Sequence, residues 1–246
     1  MADAQEVVCP ACKICGSQTV VAFAVPVSKK TGHPIPDLPD DCPYFECTEC
    51  RFCFSTHIDG QDHTGIYDET YWENQDPDWY GRVGETQRLV MLANSLLCRK
   101  PYELDILDFG CGIGGFIEMA HKSLQLNAWG TDIIPPKVGK EWFLPVVDRQ
   151  FDVIVACEVM EHVPTPRETF ARLRSWLRPG GALAFQTAEY DPRGERRDWW
   201  YVGPDNGHIS LYSAGALSYL FHDLGGSRRD LWRGYSGLQA WVFDRP

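Results

Sequence analysis

Glu158, Glu161 and His162 lie close together in the stretch CEVMEHVP, residues 157–164. The stretch follows the apolar run FDVIVA, so it begins where a buried strand meets solvent. In a single helical turn, residues i, i+3 and i+4 share a face, and the three groups would converge. Pro164 disfavours helix at Val163 and keeps such a turn short. His208, in DNGHISLY, adds a fourth group. Three roles are open to this set. Glu158, Glu161, His162 and His208 can hold a divalent cation, Mg²⁺ or Mn²⁺, that lowers the pKa of a substrate hydroxyl. Without a metal, His162 or His208 can act as general base, with Glu158 beside it. Alternatively, Glu161 and His162 only brace the loop through hydrogen bonds.

A second constellation is LDFGCGIGGF, which puts Gly110, Gly112, Gly114 and Gly115 between a strand and a helix. Glycines there allow a tight turn and close approach of backbone to a ligand. Asp132 ends the next apolar run, where a carboxylate can accept from both ribose hydroxyls. A nucleoside site is expected. Gly110, Gly112 and Gly115 also satisfy the dinucleotide fingerprint. Charge decides between the two. Asp108 stands two residues before the first glycine, beside the place of a pyrophosphate, and a carboxylate repels phosphate. S-adenosylmethionine has no phosphate, and its sulfonium and ammonium suit an acid. The methyl donor is therefore preferred over NAD.

The third constellation is sulfur. CPACKICG offers Cys9, Cys12 and Cys15, and CTECRFC offers Cys47, Cys50 and Cys53. Two C-x-x-C hooks separated by a loop have the spacing of a tetrahedral zinc site. The preferred frame is Cys12, Cys15, Cys47 and Cys50, because Gly16 lets backbone amides turn toward sulfur. Four thiolates leave no open position, so this zinc is expected to be structural.

The elements that must position these groups fall in two regions. Residues 1–60, with seven of the ten cysteines, read as a zinc-binding head, and 61–246 as a catalytic domain. Within the latter, RVGETQRLVMLANSLL is an amphipathic helix. LDILDFG, NAWGTDI, FDVIVAC and ALAFQT read as strands, with helices GFIEMAHKSLQL and SAGALSYLFHDLGG among them. TPRETFARLRSWLRPGG reads as a helix capped by Thr165 and Glu168 and stopped by Gly180 and Gly181. RRDLWRGY and LQAWVFDRP should pair as a hairpin. Strands alternating with helices predict an α/β fold with a mostly parallel sheet and ligands at the strands' carboxyl ends. A net charge of −11 argues against broad phosphate contacts. No signal peptide or membrane-spanning stretch is evident, so a soluble, cytoplasmic protein is expected.

LDFGCGIGGF, GTDI, FDVIVACEVMEHVPTP, LRPGGALAFQT and HISLYSAGALSYLF together resemble the successive motifs of class I S-adenosylmethionine-dependent methyltransferases over residues 80–246. The resemblance implies a Rossmann-like seven-stranded sheet with its last strand antiparallel. It also implies that Gly110, Gly112 and Gly114, with Asp108, line the methionine end. Asp132 and Ile133 would then lie at the ribose, and the segment from Cys157 would border the sulfonium. About 18 residues separate Asp132 from Phe151, where the family fits a helix and a strand, so its adenine-contacting acid lacks a clear counterpart; Asp148 is the candidate. The glutamate–histidine set resembles that of small-RNA 2'-O-methyltransferases and some ubiquinone-pathway O-methyltransferases. The cysteine-rich head resembles that of sugar C-methyltransferases, where it covers the substrate cleft. Tyr67, Tyr71 and Trp72 sit where similar enzymes place a lid, and RDWWYVGP adds aromatics at the flank. The expectation is methyl transfer to a small molecule, an oxygen ahead of carbon or nitrogen. An NAD-dependent oxidoreductase, a small-RNA modifier and a zinc-ribbon adaptor with a vestigial fold are its rivals.

Overall fold

The structure, a computed structural model, describes residues 8–30, 41–60, 79–231 and 237–244. The head opens with β1 (Thr19–Pro26), β2 (Asp41–Cys47) and β3 (Cys53–Phe54). These strands pair antiparallel in that order. The next described element is α1 (Trp79–Leu97). It is followed by β4 (Asp105–Phe109), α2 (Gly115–Met119) and β5 (Asn127–Thr131). A π-helical turn, Ala120–Leu124, extends α2. Then come β6 (Phe151–Cys157), α3 (Pro166–Ser175) and β7 (Leu177–Gln186). The chain closes with β8 (Ser210–Leu211), α4 (Ala214–Asp223), β9 (Arg228–Leu231) and β10 (Leu238–Val242).

The central sheet has the order β5-β4-β6-β7-β10-β9, parallel through β7 and antiparallel at β10 and β9. Strand β6 is buried at every position, as its unbroken apolar run requires of a central strand covered on both faces. On one face Leu89, Val90 and Ala93 of α1 pack with Val153, Val155 and Ala184. On the other, Phe170 and Leu173 of α3 and Leu217 and Leu220 of α4 pack with Ile154, Phe185 and Trp241. Phe45, Phe52 and Phe54 of the head belong to this second cluster.

The two sheets are tied together by backbone. Strand β8 pairs with β3, with Cys53 opposite Leu211 and Phe54 opposite Ser210, so the N-terminal sheet takes its fourth strand from the C-terminal part of the chain. Ser213 Oγ caps α4 by accepting from the Ala216 amide at 3.1 Å, and donates to the Cys50 carbonyl at 2.7 Å.

Three expectations need correction. The described sheet has six strands rather than seven. The segment after β5 is too short for a helix and a strand, and it contributes one parallel bridge, Phe143 to Gly130, with the Leu144 amide donating to the Gly130 carbonyl at 2.7 Å. Helix α3 does begin with Pro166 at its first turn, but Thr165 makes no side-chain cap. It ends at Ser175, and Gly180 and Gly181 lie within β7, where pairing jumps from Leu177–Phe151 to Ala182–Val153. Gly180, at φ +81°, supports that irregularity. Tyr67, Tyr71 and Trp72 lie outside the described residues.

Candidate active site

One cleft of about 1260 Å³ opens at the carboxyl ends of β4, β5 and β6. The glycine loop forms one end of it. Gly110, Gly112 and Gly114 all have positive φ, and Gly114 precedes the first turn of α2. A Cβ on Gly110 would stand 2.4 Å from Val159 Cγ2, so the approach of the segment after β6 demands glycine. Asp132 Oδ2 accepts from the Gly112 amide at 2.8 Å, and Oδ1 from the Ile133 amide at 2.7 Å. Asp108 is buried beneath the loop; burial and then the charge of Asp132 push its carboxyl up to about 8. Ile133, 66% exposed, and Cys157 also line the cleft. Six of the seven residues expected at the cofactor therefore border one cavity; Gly114 does not, and its bare Cα faces the Val138 carbonyl and Pro136 instead. Asp148 does not: it lines a separate shallow pocket with Arg149 and Gln150.

The second end is built after β6. Glu158 has φ +53°, a strained conformation for a residue with a Cβ, and its amide donates to the Gln186 carbonyl at 3.0 Å. The expected helical turn shrinks to Met160–His162, in 3-10 form. Donor atoms of Glu161, His162 and His208 all lie within 4.8 Å of one another. Glu158 is outside that group, and its Oε2 accepts from Tyr201 Oη at 2.9 Å. Glu161 is fully buried; neither carboxylate oxygen has a partner at ordinary hydrogen-bond distance, although the Tyr201 and Thr187 hydroxyls stand nearby. Burial, then the charge of Glu158, hold its carboxyl well above the usual range.

Both imidazoles are oriented by backbone. His208 Nδ1 lies 2.7 Å from the Tyr201 carbonyl, which fixes the proton there and leaves Nε2 as the lone-pair nitrogen, 3.1 Å from Asn206 Nδ2. His162 is hydrogen-bonded to the backbone of Gly207, and its Nε2 stands 3.8 Å from Glu161 Oε1. Burial, with Lys30 and Arg82 nearby, pushes His162 down to about 3; burial also holds His208 well below its ordinary value. Neutral imidazoles beside a buried, unsatisfied carboxylate are a donor set for a divalent cation. Lys30, Arg82, Tyr201 and Asn206 also line this end. Sequence reasoning missed Lys30 and Arg82, which carry no local motif; Tyr201 lay in the aromatic stretch RDWWYVGP.

In the head, Sγ atoms of Cys12 and Cys50 are 3.7 Å apart, those of Cys15 and Cys47 3.4 Å, and those of Cys15 and Cys50 3.7 Å. Four sulfurs at about 2.3 Å from a tetrahedral zinc would be about 3.8 Å apart, whereas a disulfide needs about 2.05 Å. Amides of Ile14, Glu49 and Cys50 point at the sulfurs of Cys12 and Cys47, each at 3.4 Å. The cluster fits a zinc-binding head.

A family model described as a methyltransferase domain matches residues 83–226, more than half of the chain. A ubiquinone biosynthesis O-methyltransferase of Saccharophagus degradans is 28% identical over 109 residues, 37% of this chain and 46% of that protein. One from Colwellia psychrerythraea is 30% identical over 105 residues, 35% and 42% respectively. The chain thus spans about half the length of the curated relatives it matches. Among solved structures, an O-methyltransferase family protein of Burkholderia thailandensis superposes with a TM-score of 0.53 at 14% identity, covering 73% of this chain and 62% of that one. The 1,6-didemethyltoxoflavin-N1-methyltransferase of the same organism, with bound 1,6-didemethyltoxoflavin and S-adenosylhomocysteine, gives 0.52 at 16% identity, with 73% and 87% covered. Fold and family model agree: the chain belongs to the methyltransferase-domain family.

Proposed function

We propose that the chain methylates a hydroxyl oxygen of a small molecule, and that Glu161, His162 and His208 hold a divalent cation at the acceptor end of the cleft. The carrying observation is Glu161, fully buried with both oxygens unpartnered beside two neutral imidazoles. Burying a carboxylate without partners costs several kcal/mol, and a cation offsets that cost. The names of the curated relatives, ubiquinone biosynthesis O-methyltransferases, support oxygen as the acceptor atom. A bound cation would hold the acceptor hydroxyl and lower its pKa.

The remaining work falls to the chain's own residues. Asp132 takes the ribose hydroxyls, and Asp108 opposes the positive charge of the donor. Tyr201 keeps Glu158 in place through its hydroxyl, and Trp200 and Tyr201 screen the acceptor end from water. Methyl transfer is an in-line displacement, so alignment within the cleft is the main requirement. The four-cysteine cluster holds structural zinc, and residues 1–60 act as a head on a 61–246 catalytic domain.

The test is S-adenosylhomocysteine production from phenols and catechols, with zinc retained and Mg²⁺ or Mn²⁺ added or withheld. Turnover should depend on the added cation. Glu161→Gln should weaken Mn²⁺ binding by about tenfold or more without changing donor affinity. Turnover indifferent to added cation and to Glu161→Gln overturns the metal assignment. Failure of every hydroxyl acceptor overturns oxygen methylation.

A further inference from the structure

Lys30 reaches the cleft from the head, on the turn that follows β1. That turn is clamped to the catalytic region. The Lys30 amide stands 3.1 Å from each carboxylate oxygen of Asp205, and Lys29 Nζ donates to the carbonyls of Trp199 at 2.8 Å and Val202 at 3.0 Å. The Lys30 stem runs across the bare backbone of Gly203: a Cβ there would stand 2.7 Å from Lys30 Cδ and 3.1 Å from its Cβ. A side chain at 203 would press the Lys30 stem out of this path. The ammonium ends 5.4 Å from the ring centre of Trp200 and 5.9 Å from that of Tyr201. Trp200 is 64% exposed and lines the same cleft, so Lys30 and a flat indole border the acceptor end together.

Among the described residues, the Lys30 ammonium contacts these aromatic faces and no carboxylate lies within ion-pair range of it. The nearby acids are otherwise engaged: Asp205 holds the Lys30 amide, Glu158 accepts from Tyr201, and Glu161 faces the histidines. Arg82, from α1, lines the cleft as well, and the charges of Lys30 and Arg82 both reach His162 and His208. An ammonium at the acceptor end with no carboxylate of the described residues in ion-pair range favours an acceptor that brings one.

We propose that Lys30 binds the carboxylate of the methyl acceptor, and that the acceptor is therefore a hydroxy acid. The proposal rests on oxygen methylation in this cleft. The head contributes a specificity-determining residue to a site otherwise built by the catalytic sheet.

The experiment compares acids with their amides as acceptors: 3,4-dihydroxybenzoate and its benzamide, salicylate and salicylamide, lactate and lactamide. S-adenosylhomocysteine formation is followed with Mn²⁺ present, in the full chain. At least one acid should be turned over with kcat/KM about tenfold or more above its amide, the worth of one charge-assisted hydrogen bond. Lys30→Met, which keeps the stem on Gly203, should raise KM for that acid and erase its advantage, with the loss falling on KM rather than kcat. Lys30→Arg should restore it. S-adenosylhomocysteine affinity checks that each variant is folded. Amides accepted as well as acids, or an acid KM untouched by Lys30→Met, overturn the role of Lys30 and leave oxygen methylation standing. No turnover of any acid or amide overturns the proposal together with the oxygen-methylation reading on which it rests.

Discussion

Asp108 should make donor binding depend on pH. In the free protein its carboxyl is pushed up to about 8, by burial first and the charge of Asp132 second, so it carries a proton below that pH. A sulfonium and an ammonium in the cleft favour the ionised form. Binding below about pH 8 must therefore expel the proton, and affinity falls as pH falls. Each pH unit costs about 1.4 kcal/mol, so donor affinity at pH 6 should be about 100-fold below its plateau. Titration calorimetry at pH 6, 7 and 8, in two buffers of different ionisation enthalpy, reads both affinity and proton release. About one proton should leave per donor bound at pH 6. Asp108→Asn should bind more weakly at pH 8 and lose the extra slope, whereas the donor's own amino group titrates alike in both proteins. A wild-type slope equal to that of Asp108→Asn refutes the assignment of Asp108 to the donor's positive charge.

If Asp132 accepts from both ribose hydroxyls as proposed, Asp132→Ala removes two charge-assisted bonds of about 1.5 kcal/mol each, and S-adenosylhomocysteine should bind about 100-fold more weakly. Its melting temperature should fall by several degrees, because the Gly112 and Ile133 amides lose their acceptor, so affinity is read well below the transition; unchanged affinity refutes the ribose role. Cys47→Ser should lose zinc and catalysis together, because the head's β3 pairs with β8, Ser55 donates to the Ile209 carbonyl at 2.9 Å and Tyr44 Oη to the His208 carbonyl at 2.7 Å. Calorimetry should give a single, lowered unfolding transition; a zinc-free variant with full turnover contradicts the coupling.

Local pattern made much of the molecule legible. The run FDVIVAC reads as a buried strand and is one, and the spacing of Cys12, Cys15, Cys47 and Cys50 anticipates the sulfurs that converge. The glycine loop and Asp132 are legible because turn geometry and strand end fix them within a short stretch. Long-range pairing hid the rest. Gly180 and Gly181 look like a helix stop, yet they lie in β7 because β6 pairs across them. The seventh strand, absent from the sheet of the described residues, was foreshadowed only by a short segment after Asp132, which contributes a single bridge at Phe143. Glu158 fits a helical face on paper, but its left-handed backbone turns it toward Tyr201. Lys30 has no motif; it enters the cleft because the head packs over Gly203, a contact between positions 173 residues apart in the chain.

A crystal structure of the protein with S-adenosylhomocysteine and Mn²⁺, with anomalous data collected at the manganese edge, tests the central claim most directly. The account predicts the adenosyl group over Gly110–Gly114 with its ribose on Asp132, and one manganese peak ligated by Glu161, His162 and His208 in the same cleft. An adenosyl group bound elsewhere, or an occupied donor site with no manganese at those three residues, would contradict it.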